Sequence, residues 1–122
     1  MMTGFVCVGI GGAVGAMLRY AISLIPYKGG FPVLTLITNI LGALAIGIIA
    51  GAAARKGLPQ NAVLFLKTGV CGGFTTFSTF SLEAYNLLEQ GDVKASVLYV
   101  VLSVGCCLAG VAAGMYAAEH II

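Results

Sequence analysis

The chain has 122 residues, of which 60% are apolar and only 8% are charged, and its mean hydropathy is +1.07. A soluble domain of this size must cover its surface with polar groups, so the composition excludes one and indicates an integral membrane protein. The net charge of +2 is too small, and the charges are too scattered, to indicate a nucleic-acid partner.

Four apolar segments are long enough to cross a bilayer, since a spanning helix needs roughly 20 apolar residues. The breaks between them are short and rich in charge, Gly or Pro, as turns between helices usually are. The first segment lacks the basic start of a signal peptide, and its apolar run is too long for one. We therefore predict an all-α integral membrane protein, a single transmembrane domain over residues 1–122 with spans at about 2–25, 31–54, 61–88 and 93–118.

Small residues recur at a four-residue spacing in three of these spans. This spacing allows helix backbones to approach closely in lipid. Two interpretations stay open: packing within one four-helix bundle, or an interface between two copies, which a conducting chain would need because four short helices hardly enclose an ion path. The residues are Gly11 and Gly15 in the first span, Ala43, Gly47 and Gly51 in the second, and Cys106, Gly110, Gly114 and Ala118 in the fourth.

Polar side chains within the first two spans need partners in lipid. Arg19 is far enough along its helix to extend toward the first loop, or it has a structural or ion-attracting role. Asn39 lies near the middle of the second span, and Thr35 and Thr38 lie on the preceding turn. An amide at this depth must find hydrogen-bond partners in another helix or in a cavity, so Asn39 either joins two helices or lines a polar path.

The third span contains the most informative stretch of the chain, residues 72–81, which combine a Gly pair, five hydroxyl groups and three Phe rings. Non-helical backbone at membrane depth is tolerated only inside protein or beside a wet path, and broken helices of this kind mark ion sites in many transporters. We predict a break near Gly72-Gly73. Phe77 and Phe80 are three residues apart and share one helix face, where their positive ring edges could line an anion path or simply pack in the core.

Three polar residues of the third and fourth spans also allow two interpretations. Glu83 follows Phe80 by three residues, and Tyr99 precedes Ser103 by one turn on the same face. Each has an ordinary alternative: a solvated helix end for Glu83, an interfacial ring for Tyr99, and a bond to its own helix backbone for Ser103. Together they could line a polar path.

Catalytic and metal chemistry find little support in the sequence. The four cysteines lie inside apolar segments and form no C-x-x-C pair, so they are interpreted as small packing residues rather than a zinc site or disulfide framework. His120 and Asp92 would lie at opposite faces of the membrane, where they cannot form a hydrolytic triad. We therefore predict that the chain is not an enzyme.

The basic residues of the loops are balanced between the two sides of the membrane. Orientation follows the Lys and Arg residues of short loops, which accumulate on the cytoplasmic side. Arg55 and Lys56 lie on one side, and Lys28 and Lys94 lie on the other. With no excess on either side, we predict insertion in both orientations, so that a dimer of the chain would be antiparallel.

The stretch at residues 72–81 closely resembles the signature of the Fluc family of fluoride ion channels, also called CrcB-like. Residues 11–20 of the first span and 35–42 of the second are similar to the same family, so the likeness extends over nearly the whole chain. The resemblance implies an antiparallel, dual-topology homodimer in the inner (plasma) membrane. Its two pathways would passively export fluoride from the cytoplasm.

The resemblance also implies roles for individual residues. Phe77 and Phe80 would present ring edges to fluoride, and Asn39 would be the pore amide. Gly72 and Thr75 would donate backbone carbonyls to a structural sodium ion at the centre of the dimer. The remaining residues implied for the fluoride pathway are Thr35, Ser78, Thr79, Glu83, Tyr99 and Ser103, with Arg19 in a structural or vestibule role.

The chain departs from the family pattern at two positions, and two other functional classes stay open. Cys107 lies where the family often has another serine, and Leu34 precedes Thr35 where a glycine is common. A small multidrug-type transporter of dual topology is expected to need a carboxylate early in the chain, and the first two spans have none. A non-transporting membrane scaffold would use the glycines for packing but would not need the broken third helix or Asn39.

Overall fold

The computed structural model describes residues 1–121, and its ordered elements are all helical. Ile122, the last residue of the predicted domain, lies outside the described residues. Three continuous helices are long and apolar enough to cross a membrane, with mean hydropathies of 1.7, 2.3 and 2.2. They are α1 (Met2–Ser23), α2 (Val33–Lys56) and α6 (Val93–Ile121).

The third predicted span is divided into shorter pieces. Its first half, residues 60–74, consists of a helical turn, a π-helical segment and a second turn, and its second half is a regular helix. The pieces are α3 (Gln60–Val63), the π segment (Leu64–Cys71), α4 (Gly72–Phe74) and α5 (Phe77–Glu89). The all-α prediction is therefore confirmed, and the third predicted span consists of two halves instead of one continuous helix.

The break in this span lies after the Gly pair, whereas the sequence placed it near Gly72-Gly73. Both glycines are helical, and the extended residues are Thr75 (φ −87°, ψ 156°) and Thr76 (φ −149°, ψ 120°). Gly73 serves close packing instead, because a Cβ atom there would lie only 3.0 Å from the Cα of Gly12. Gly73 thus allows close contact with α1, and the helix is interrupted at Thr75 and Thr76.

The helices pack as two pairs. α1 lies along the π segment and α4, while α2 lies along α6, with α5 packed against the first part of α6. A Cβ on Gly11 would lie 3.0 Å from the Cα of Gly69, and a Cβ on Gly47 would lie 3.0 Å from the Cα of Val111. These small residues are therefore used for packing within one bundle, the first of the two interpretations.

The buried core of the bundle is small. It consists of Phe80, Leu87 and Tyr99, with Phe31 and Leu36 packed against them. Many large apolar side chains lie on the outer faces of the helices, where lipid or another protein surface would cover them. The core lies between α5, α6 and the start of α2, directly beside the polar residues predicted from the sequence.

Candidate functional site

Asn39 of α2 stabilises the extended backbone at the break in the third span. The backbone N–H of Thr76 donates to Asn39 Oδ1 over 2.9 Å, and Asn39 Nδ2 donates to the carbonyl of Thr76 over 3.2 Å. The amide therefore joins two helices, one of its two predicted roles. It also leaves the second N–H of Nδ2 without a protein partner among the described residues.

This arrangement removes the normal helical donors from two carbonyl groups. In an α-helix the N–H of Thr76 would donate to the carbonyl of Gly72, and that of Thr79 to the carbonyl of Thr75. The first instead bonds Asn39, and the second bonds the hydroxyl of Thr76 over 3.1 Å. The carbonyls of Gly72 and Thr75 are thus released at the break, and both residues line one groove.

Six of the predicted site residues line this groove. Its volume is about 450 Å³, and it runs between α2, the middle of the third span and α6. Among the described residues, no side chain that lines it is charged. The predicted site residues that it brings together are Asn39, Gly72, Thr75, Phe77, Phe80 and Ser103, and Cys107 lines it as well.

The two Phe rings of the groove are adjacent but differ in environment. Their centroids lie 5.6 Å apart with an interplanar angle of 49°. Phe80 is 9% exposed and belongs to the core, whereas Phe77 is 78% exposed on the surface of the protomer. Phe80 also packs against Tyr99, with centroids 5.1 Å apart. The spacing correctly predicted neighbouring rings, and the pair leads from the core to the open side of the groove.

Ser103 lines this groove, and its hydroxyl group is buried. The residue is 5% exposed, and its Oγ atom has no hydrogen-bond partner among the described residues. It does not bond its own helix backbone, which was the ordinary alternative for a lone serine. A buried hydroxyl without a partner is uncommon in native structures, which distinguishes Ser103 from the other polar residues of the site.

Glu83 and Tyr99 form a polar cluster at the end of the core. Tyr99 OH donates to Glu83 Oε1 over 3.0 Å, and Thr35 Oγ1 donates to Glu83 Oε2 over 3.1 Å. Tyr99 is fully buried and so is not an interfacial ring, and Glu83 is half-buried in the middle of α5 and not at its end. Glu83 and Thr35 line a second cavity of about 310 Å³ below the first loop.

Arg19 and Thr79 lie on the other side of the break. Arg19 Nε donates to the carbonyl of Gly73 over 3.3 Å, which connects α1 with the third span. Arg19, Thr35 and Thr79 line a small cavity of about 80 Å³. Arg19 thus has a structural contact, and its positive charge faces the hydroxyl groups around the break. Ser78 is exposed, with its Oγ 3.5 Å from Thr76 Oγ1.

Sequence reasoning missed two contacts that position this site. Ser96 Oγ donates to the carbonyl of Ala84 over 2.8 Å and fixes α6 against α5. Phe31 packs edge-on against Tyr99, with ring centroids 5.5 Å apart and an interplanar angle of 81°. Ser96 lies one turn before Tyr99 on its helix, a spacing that could have indicated a shared face. Phe31 lies before α2, so no helical periodicity could indicate that its ring packs on Tyr99.

The chain is similar to one family of proteins over most of its length. The family model described as CrcB-like protein, Camphor Resistance (CrcB), matches residues 6–115. A relative from Methylobacterium sp. (strain 4-46) is 48% identical over 114 residues, covering 91% of this chain and 92% of its own. Relatives from Roseobacter denitrificans (42% identical, 98% of both chains) and Ruminiclostridium cellulolyticum (47%, 98% and 95%) match as well. All three are named fluoride-specific ion channel FluC.

Proposed function

Because the chain belongs to the CrcB-like family, we propose that it is a fluoride channel that lets fluoride leave the cytoplasm passively. The family is one of ion channels and not of enzymes. The observation that carries the proposal for this chain is the uncharged groove, which is lined by Asn39, two Phe rings and Ser103. Neutral donors and positive ring edges suit a small anion that has lost part of its hydration shell.

Fluoride would pass between the groove and the two polar cavities that lie near the first loop. Asn39 supplies its second amide N–H, and Phe77 and Phe80 supply ring edges. Ser103 supplies the free hydroxyl. The other members of the proposed pathway lie in the adjoining cavities or on the exposed turn: Thr35, Ser78, Thr79, Glu83 and Tyr99, with Arg19 attracting anions at one vestibule.

The functional unit is proposed to be an antiparallel homodimer with two such pathways. One copy leaves the groove open on one side, with Phe77 and Gly72 exposed to the surroundings. A second copy would close the groove, and the balanced loop charges favour insertion in both orientations. The dimer would lie in the inner membrane as one transmembrane domain per chain, where passive efflux protects the cytoplasm.

A structural sodium ion is proposed at the centre of this dimer. The described residues contain no cluster of three or more His, Cys, Asp or Glu side chains that could hold a metal. The carbonyls of Gly72 and Thr75 have lost their helical donors, so both oxygens are free to bind a cation. Hard cations such as sodium prefer oxygen ligands, and carbonyls from two copies would complete the shell.

The experiment that tests the function is fluoride efflux from liposomes that contain only the purified protein. Fast passive efflux of fluoride, with chloride retained in a parallel sample, is the expected result. Protein-free liposomes measure the background leak, and size-exclusion chromatography shows that the protein is folded. A folded protein that releases no fluoride would contradict the proposal and favour a membrane scaffold. Proton-coupled export of organic cations would favour the multidrug-type transporter.

A further inference from the structure

Three cavities of the protomer meet at shared lining residues. The first-loop cavity of about 310 Å³ and the small cavity of about 80 Å³ beside Arg19 (the Arg19 cavity) are both lined by Leu34 and Thr35. The Arg19 cavity and the groove are both lined by Thr76. The first-loop cavity and the groove have no lining residue in common. The Arg19 cavity is therefore the one that adjoins both of the others.

The two cavities that share Leu34 and Thr35 are lined by opposite charges. Glu83 lines the first-loop cavity, together with the amides of Asn86 and Gln90. Arg19 lines the other cavity, and a guanidinium among neutral hydroxyl groups suits an anion. The volume of about 80 Å³ has room for water or a small anion. The residues that supply the hydroxyl groups are Ser23, Thr35, Thr38, Thr76 and Thr79.

Leu34 is the apolar side chain at the boundary between these two cavities. It lies one turn before Thr38 on α2, and its carbonyl accepts a hydrogen bond from Thr38 Oγ1 over 2.8 Å. The other boundary residue, Thr35, directs its hydroxyl to Glu83 on the side of the first-loop cavity. The leucine thus places apolar surface between the cavity with the acid and the cavity with the base. Such surface offers no hydrogen bonds to replace the hydration of a passing ion, and apolar constrictions restrict flow in channels for this reason.

We infer that Leu34 forms an apolar constriction between the first-loop cavity and the Arg19 cavity, and that this constriction limits the rate at which fluoride passes from one to the other. The inference rests on the proposed function, because it needs fluoride to use both cavities. An ion that crosses the boundary must lose water before Arg19 and the hydroxyl groups can replace it. A shorter side chain at position 34 would widen the boundary, and a larger one would close it.

The first test compares fluoride efflux from liposomes for variants of the full-length protein. Leu34→Ala is expected to raise the initial rate several-fold, and Leu34→Phe is expected to lower it below that of the wild type. Val33→Ala and Ile22→Ala are matched controls that should conduct like the wild type, because Val33 lines only the first-loop cavity of these three and Ile22 lines only the Arg19 cavity. A rise in Ile22→Ala as large as that in Leu34→Ala would overturn the inference. If Leu34→Ala does not fold, Leu34→Val takes its place.

The second test measures access to the Arg19 cavity and does not require conduction. Thr38 lines this cavity one turn beyond Leu34 and is only 3% exposed, so Thr38→Cys places a reporter thiol there. With the four native cysteines replaced, the reaction of this thiol with methyl methanethiosulfonate is followed by mass spectrometry of the intact protein. Adding Leu34→Ala should raise the rate about tenfold, the effect of lowering a barrier by about 1.4 kcal/mol. Adding Leu34→Phe should slow the reaction, and adding Val33→Ala should leave it unchanged.

The two measurements separate this inference from the proposed function. Wild-type protein that is folded but releases no fluoride would contradict the proposed function, and the labelling rates would still decide whether Leu34 forms a constriction. A labelling rate that does not depend on the side chain at position 34 would overturn the constriction. Faster labelling with Leu34→Ala but unchanged fluoride efflux would overturn the claim that this boundary limits the flow.

Discussion

The hydroxyl of Tyr99 donates a hydrogen bond to Oε1 of Glu83 over 3.0 Å, across the contact between α6 and α5. Thr35 donates to the other carboxylate oxygen from α2, so three helices meet at one charged group. Taking a carboxylate away from water is costly unless hydrogen bonds replace its hydration. The two hydroxyl donors therefore replace part of the hydration of the Glu83 carboxyl group while fixing the ring of Tyr99 against Phe80.

Tyr99→Phe removes one donor and keeps the ring. We expect the free energy of unfolding to fall by about 2 kcal/mol, because hydrogen bonds to charged groups are worth about 1.5–3 kcal/mol. We also expect fluoride efflux to fall, because Glu83 and the ring beside Phe80 lose their fixed relation. Thermal unfolding of the purified protein and liposome efflux measure both effects. Tyr116→Phe, at an exposed tyrosine of the same helix, is the matched control. Equal results for the two variants would contradict the role of the Tyr99–Glu83 bond.

The sequence predicted those parts of the site that depend on spacing along one helix. The three-residue step from Phe77 to Phe80 placed the rings together, and the four-residue step from Tyr99 to Ser103 placed both on the buried face. Contacts between helices were not predictable, because no periodicity records which helix faces which. The bond from Tyr99 to Glu83 and the bond from Thr35 to Glu83 belong to this class.

The position of the break illustrates the same limit. Glycine lowers helix stability locally, so the Gly pair was the obvious place for a break. Packing against Gly12 of α1 gives Gly73 a different use, and the amide of Asn39 stabilises extended backbone at Thr76. Tertiary hydrogen bonds therefore place the break at the threonines, although local propensity favours the glycines.

Asn39→Ala tests whether the amide stabilises the break in the third span and also binds the anion. The substitution leaves the N–H and the carbonyl of Thr76 without their partners, and each such loss costs about 1–3 kcal/mol. We expect a lower unfolding temperature and impaired fluoride efflux. Asn39→Ser should also impair efflux, since a hydroxyl cannot reach both backbone groups. The exposed Asn61, changed to Ala, is the control. A variant that conducts normally would remove Asn39 from the mechanism, and one that only fails to assemble would leave it a purely structural residue.

Phe80→Ile tests the ring edge. Isoleucine keeps an apolar side chain in the core, but it has no polarised edge to offer an anion. We expect a folded dimer whose fluoride efflux falls about tenfold, equivalent to a loss of about 1.4 kcal/mol in the stabilisation of the ion. Phe5→Ile, at an exposed ring of α1, should leave efflux unchanged. Undiminished efflux from Phe80→Ile would exclude this ring from the pathway.

Sodium is expected to stabilise the purified dimer if the released carbonyls of Gly72 and Thr75 hold it. A ligand that binds only the folded state adds about 2.7 kcal/mol to the free energy of unfolding at a concentration one hundred times its Kd. The unfolding temperature should therefore rise with sodium chloride concentration and rise less with potassium chloride at the same ionic strength. Equal curves for the two salts would contradict a selective site, because general screening affects both alike.

Dual topology is tested with single cysteines at Gln60 and Gln90, two exposed and uncharged positions on opposite sides of a chain with four crossings. In a background with the four native cysteines replaced, an impermeant maleimide added to intact cells should label about half of each variant, because the loop charges favour neither orientation. Complete labelling at one position and none at the other would contradict the prediction. Changing Arg55 and Lys56 to Gln removes the basic residues from one side only. The loops with Lys28 and Lys94 should then stay inside, and Gln60→Cys should become fully labelled.

The same charge change should lower fluoride efflux if conduction needs an antiparallel pair. Co-expression with the variant Lys28→Gln/Lys94→Gln, which inserts in the opposite orientation, should then recover the efflux.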